Sequence, residues 1–165
     1  HRVDRRQRQM CIRDRRYPAL DLTVTVLTNA QDGLSTEWVE GIASILFAFQ
    51  QHGAPGKREA AWAGRWWSLW GASDLVPMGK VVCQVAPAMF VPFNAATTEL
   101  AVTGRDTGVV QKASAYASPG QPVRRVRDAS GTPTELWVGG TQLLPKDAML
   151  AEATRRYRKA RNAPR

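Results

Sequence analysis

Nucleophilic catalysis by serine shows itself in local pattern, because an activated hydroxyl needs a base within hydrogen-bond reach and donors for the oxyanion. This chain has no G-x-S-x-G turn, no S-x-x-K, no S-D-N and no H/K-x-G triad. Ser114 and Ser118 are followed by no lysine at the required spacing, and Gly56-Lys57 lacks the glycine-bounded loop and following Ser/Thr of a phosphate-binding turn. Besides His1 the only histidine is His52, placed where a helix should end and an imidazole meets the last carbonyls. No His, Cys or clustered carboxylates stand at ligand spacing, so no metal and no other cofactor is expected. Cys11 sits in arginine-rich sequence and Cys83 in an apolar strand, which reads as a buried free thiol rather than half of a disulfide.

The most unusual local composition is Trp66-Trp67 with Trp62 and Trp70 close by. Such aromatic faces can hold sugars or bases, and these four residues are the candidate ligand-binding set. The competing reading is core packing. Alternate strand positions face opposite sides, so Trp66 and Trp67 diverge and at least one builds the core. The Arg124-Arg125 pair reads as a solvated strand face rather than an anion clamp.

A net charge of +9 invites a nucleic-acid reading, but the charge is concentrated at the ends. Residues 1–16 hold seven Arg against Asp4 and Asp14, and residues 155–165 hold six basic residues and no acid. Between them ten basic residues face twelve acidic ones, so the folded part is slightly acidic and no specific nucleic-acid partner is expected. No apolar run approaches the roughly 18 to 20 residues of a membrane span.

What must position these residues begins at Leu20. Residues 1–16 carry too little apolar content to repay ordering, and they resemble peptide read from sequencing-adapter DNA, most closely at RQRQMCIRDR. They are expected to be a disordered basic tail, and that resemblance implies an origin outside the protein. Leu22, Val24 and Val26 alternate with Thr23 and Thr25 as a strand, ending in a turn over Asn29–Gly33. Ser35 or Thr36 then caps a helix whose Trp38, Ile42, Ile45, Leu46 and Phe49 share one face, expected to lie on a core. The helix stops near His52-Gly53, and residues 53–61 read as a linker. Beyond it, strands are expected at Arg65–Trp70, Val81–Val85, Glu99–Thr103, Val109–Lys112, Val123–Arg127 and Glu135–Val138. Turns at Gly71–Asp74, Pro77–Gly79, Gly104–Gly108, Ser118–Gly120 and Asp128–Gly131 separate them. Lys146–Arg161 can form a short helix docked by Met149 and Leu150, with the basic end, 154–165, as a tail.

LDLTVTVLTNAQDGLSTEWVEGIASILFAF, residues 20–49, resembles the final strand and closing helix of the serine β-lactamase and D-alanyl-D-alanine carboxypeptidase superfamily. GRWWSLWGASDLVPMG and TELWVGGTQLLP resemble a small β domain appended to some of these penicillin-binding-protein-like hydrolases. The resemblance implies a C-terminal fragment whose partner is the missing N-terminal part of a parent that forms an acyl-serine. No catalytic residue is carried over, and in that family the H/K-x-G strand lies upstream of the matched strand. The expected fold class is therefore α+β. Residues 17–52 supply the strand and amphipathic helix of a β-lactamase-like domain, and 62–153 an antiparallel β-meander or barrel-like domain.

Overall fold

The alternation of Leu22, Val24 and Val26 does produce a strand, and it finds a partner. In the computed structural model, which describes residues 12–29, 33–95, 97–113 and 117–161, β1 (Ile12–Tyr17) pairs antiparallel with β2 (Leu22–Leu27). The reversal is a 3-10 turn over Pro18–Leu20 closed by Asp21 at φ 45°, whose N–H donates to the Pro18 carbonyl at 3.2 Å. The basic tail expected over 1–16 is thus a strand from Ile12 onward. An open edge of β2 and the Arg15–Glu40 ion pair at 3.0 Å give those arginines something to bind. Residues 1–11, with Cys11, lie outside the described residues, as do Ser114 and part of the Asn29–Gly33 turn.

Helix α1 (Ser35–His52) ends where the glycine predicts, with the Gly53 N–H donating to the Phe49 carbonyl at 2.7 Å. No side chain caps its start, because Ser35 is itself helical and buried. Its circumference divides into three sectors. Val39, Ala43 and Phe47 face the hairpin, where Phe47 meets Tyr17 edge to face at 4.8 Å. Gly41, Ser44, Ala48 and His52 face the second unit of the fold; a Cβ at Gly41 would overlap the Phe90 carbonyl oxygen. The third sector is the apolar stripe of Trp38, Ile42, Ile45, Leu46 and Phe49, which stays 39–55% exposed. That corrects the expectation that this stripe lies on a core. A two-stranded hairpin offers too narrow a face for so wide a stripe, and small residues, not large ones, permit the close approach on the other side.

The expected linker contains a short helix, α2 (Lys57–Ala60), with Glu59 buried. Then follow eight antiparallel strands: β3 (Gly64–Ser68), β4 (Gly71–Met78), β5 (Val81–Val85), β6 (Thr98–Val102), β7 (Thr107–Lys112), β8 (Pro122–Arg127), β9 (Pro133–Val138) and β10 (Thr141–Leu143). They pair strictly in chain order. Trp67 and Leu144 then exchange N–H···O bonds of 2.8 Å in both directions, which brings the last strand back to the first. The fold is α+β, with a nearly closed up-and-down barrel as its larger unit. Helix α3 (Lys146–Arg161) packs against β3 and continues through the expected tail, held by Glu152 to Arg155 and Arg156 at 2.6 and 2.7 Å. Met149 is half-buried, but Leu150 is exposed rather than docked.

β4 was not expected, since Gly71–Asp74 and Pro77–Gly79 read as turns. The strand keeps its small residues because Gly71 and Ser73 face a part of the interior that is not filled. Asp74 is held across the ladder by a two-pronged Arg65 contact at 2.7 and 2.8 Å. Inside, Trp62, Trp66, Leu75, Val82, Leu100, Val102, Val110, Val123, Leu136, Val138 and Leu143 form one buried cluster.

The turn between β4 and β5 is where α1 meets the barrel. Gly79, at φ 52°, donates its N–H to the Gly53 carbonyl at 2.9 Å, and a Cβ there would overlap the His52 carbonyl oxygen. Gly79→Ala is expected to cost about 2 kcal/mol or more in urea unfolding, combining left-handed strain with the overlap. Gly140→Ala, with open space around its Cβ, is expected to be close to neutral.

Candidate functional site

One end of the barrel is shut by a cation. Val123 and Arg125 lie two apart on β8 and so share the inward face, which carries Arg125 into the barrel with only 3% of its side chain exposed. Its guanidinium lies 4.1 Å over the Trp62 ring, donates through Nη1 to the Ala61 carbonyl at 2.7 Å and through Nη2 to the Arg105 carbonyl. Nε is 3.3 Å from Asp106 Oδ1, near enough for charge pairing though not aligned as a hydrogen bond. Burial foremost pushes this guanidinium below its ordinary value, with Arg127 adding repulsion and Asp106 opposing both. Arg127 completes the network by donating to Asp106 at 2.7 Å and to the Gly131 carbonyl at 2.6 Å. The Arg124-Arg125 pair is therefore split, contrary to the reading of both as solvated. Arg124 stacks outside on Trp137 at 4.8 Å, and Arg125 is a structural plug.

The other end is open. Toward it, five of the strands, β3, β4, β5, β6 and β10, replace a large inward residue by a small or polar one two positions on: Trp66 by Ser68, Leu75 by Ser73, Val82 by Gln84, Leu100 by Thr98 and Leu143 by Thr141. The result is a cavity of about 520 Å³ whose floor is Val138 and Leu143. Its polar tier is partly ordered, since Gln84 Nε2 donates to Ser73 Oγ at 3.3 Å and the Trp70 backbone N–H to Ser68 Oγ at 3.1 Å. Met89, Pro92 and Trp70 stand at the rim. None of the described residues lining this space carries a charge.

The four tryptophans do not form one surface. Trp62 is in the plug and Trp66 in the buried cluster; Trp67 points outward beneath Lys146 at 5.9 Å; Trp70, 89% exposed, is the one at the open mouth. Sequence reading missed Ser73, Gln84, Thr98 and Thr141, although the period of two that relates them to Leu75, Val82, Leu100 and Leu143 was available in the residues.

His52 ends α1 as expected, and its backbone, not its ring, makes the contact with Gly79. Cys83 is a buried free thiol on the outer face of β5, packed with Val81 and Val85 beneath Val76 and Phe93. Burial, with Glu99 adding to it and Lys112 opposing, pushes this thiol up to about 11. Among the described residues no group of His, Cys, Asp or Glu could hold a metal ion, and no helix is long and apolar enough to cross a membrane.

Arg125→Ala is expected to destabilise the barrel by about 2–4 kcal/mol in urea unfolding, since the buried side chain that bonds the Ala61 and Arg105 carbonyls and covers the Trp62 ring is removed from the closed end. Arg125→Lys should recover little of that, because one ammonium cannot span both carbonyls and cover the ring. In a Cys11→Ser background, the Cys83 thiol is expected to resist a disulfide reagent near neutral pH until denaturant is added. Because the folded thiol holds its proton longer than the unfolded one, its contribution to stability is complete below the ordinary thiol value and is lost as pH rises toward about 11. Cys83→Ala should flatten that alkaline loss in urea titrations.

Comparison of the chain with protein-family models, curated proteins and solved structures gives no match.

Proposed function

We propose that this chain is the C-terminal, non-catalytic portion of a β-lactamase-related serine hydrolase. Its hairpin and α1 complete the parent's sheet and helix layer, and its barrel is an accessory domain. The parent would cleave an amide or ester bond through an acyl-serine intermediate. The observation that carries this reading is the stripe of Trp38, Ile42, Ile45, Leu46 and Phe49, left uncovered beside a sheet of only two strands. A two-stranded hairpin is marginal by itself, and a helix with a wide apolar face belongs against a sheet. The resemblance of residues 20–49 names the sheet.

In the family that residues 20–49 resemble, an H/K-x-G strand lies upstream of the matched strand, and β1 stands upstream of β2 here. Its sequence, IRDRRY, contains no such triad. The edge of β2 is then available to the parent's own strand, and β1 is a substitute partner.

Two measurements test the proposal. A fluorophosphonate serine probe is expected to leave this chain unlabelled and to label the product of the reading frame extended upstream; an upstream frame without S-x-x-K removes the family assignment, and labelling of the chain itself removes its non-catalytic role. The isolated chain is also expected to self-associate in sedimentation velocity through the uncovered stripe. Ile42→Glu together with Phe49→Glu should shift it toward monomer, whereas a wild-type chain that is monomeric throughout would show that the stripe needs no partner.

A further inference from the structure

We infer that the open end of the barrel is a binding site for one small, uncharged, amphipathic molecule. Eight strands make a barrel whose interior is either just filled by side chains or just wide enough for one small ligand. This chain does both, one at each end. Between the Arg125 plug and the level of Leu100 the interior is packed with large residues. Above that level the inward positions become small or polar, with Ser68, Ser73, Gln84, Thr98 and Thr141, and the space left, about 520 Å³, lies within the roughly 300–1,000 Å³ of small-molecule sites.

The chemistry of the wall selects the ligand. The floor of Val138 and Leu143 takes an apolar end, while the hydroxyls and the Gln84 carboxamide, oriented by its bond to Ser73, offer both donors and acceptors along the flank. A carboxylate or ammonium would leave water for a wall whose described residues hold no opposite charge, which is strongly unfavourable. A purely aliphatic molecule would gain no hydrogen bond from the Gln84 carboxamide. An alcohol, ester or amide with an apolar body satisfies both. This site lies wholly within the barrel and does not rest on the hydrolase reading.

The test uses the full chain and the neutral fluorophore N-phenyl-1-naphthylamine, which brightens when it leaves water. A single saturable site is expected. Decanol should displace the fluorophore at concentrations about tenfold lower than decanoate or decylammonium, because only the charged heads must be stripped of water without compensation. Thr141→Trp and Ser73→Phe, which fill the space, should abolish binding while unfolding cooperatively in urea. Ile42→Glu with Phe49→Glu, on the α1 stripe, should leave it unchanged. Should the filling variants fail to fold, Gln84→Leu decides, since it keeps the volume and is expected to erase the preference of the site for decanol over decane. Absence of saturable binding, equal displacement by decanoate, an unaltered preference in Gln84→Leu, or loss of binding only in the stripe variant would each overturn the inference.

Discussion

A guanidinium taken out of water must be hydrogen-bonded and paired or it expels itself. Arg125 meets that demand through the carbonyls of Ala61 and Arg105, the Asp106 carboxylate and the face of Trp62. These partners come from the segment ahead of β3 and the turn between β6 and β7, so satisfying one cation ties together parts of the chain remote in sequence. Arg127 extends the tie to the turn between β8 and β9. The closed end thus has an internal reason for its shape.

Most of the strands were legible because alternation survives in any half-buried strand: Val81–Val85 has the expected limits, and the other expected strands differ by one to a few residues. β4 was not legible. Gly, Ala, Ser and Asp in succession signify a turn when the alternative is a filled interior, and only the existence of an empty space gives them a reason to be in a strand. Arg125 was hidden differently, since nothing in a pair of arginines says that one has a ring and two carbonyls waiting. Helix α1 was correctly placed, yet its apolar stripe was assigned to a core that the neighbouring elements are too small to provide.

Two surfaces are therefore incomplete for different reasons. The α1 stripe is large, apolar and outward; the barrel mouth is mixed in polarity and inward. The chain between β5 and β6 borders both, with the Phe90 carbonyl against Gly41 and Met89 and Pro92 at the rim. Gly41 admits that contact only because it lacks a side chain, so the seat of the helix and the outline of the mouth are set by one stretch of backbone.

The plug has a further consequence. A tube can be filled from one side and drained from the other, whereas a barrel stoppered by Trp62 and Arg125 is a blind vessel. Whatever occupies it goes in and comes out by the same aperture, its deepest end first in and last out. Residence time in such a vessel is governed by the lip, by Trp70, Met89 and Pro92, more than by the floor on which the occupant rests.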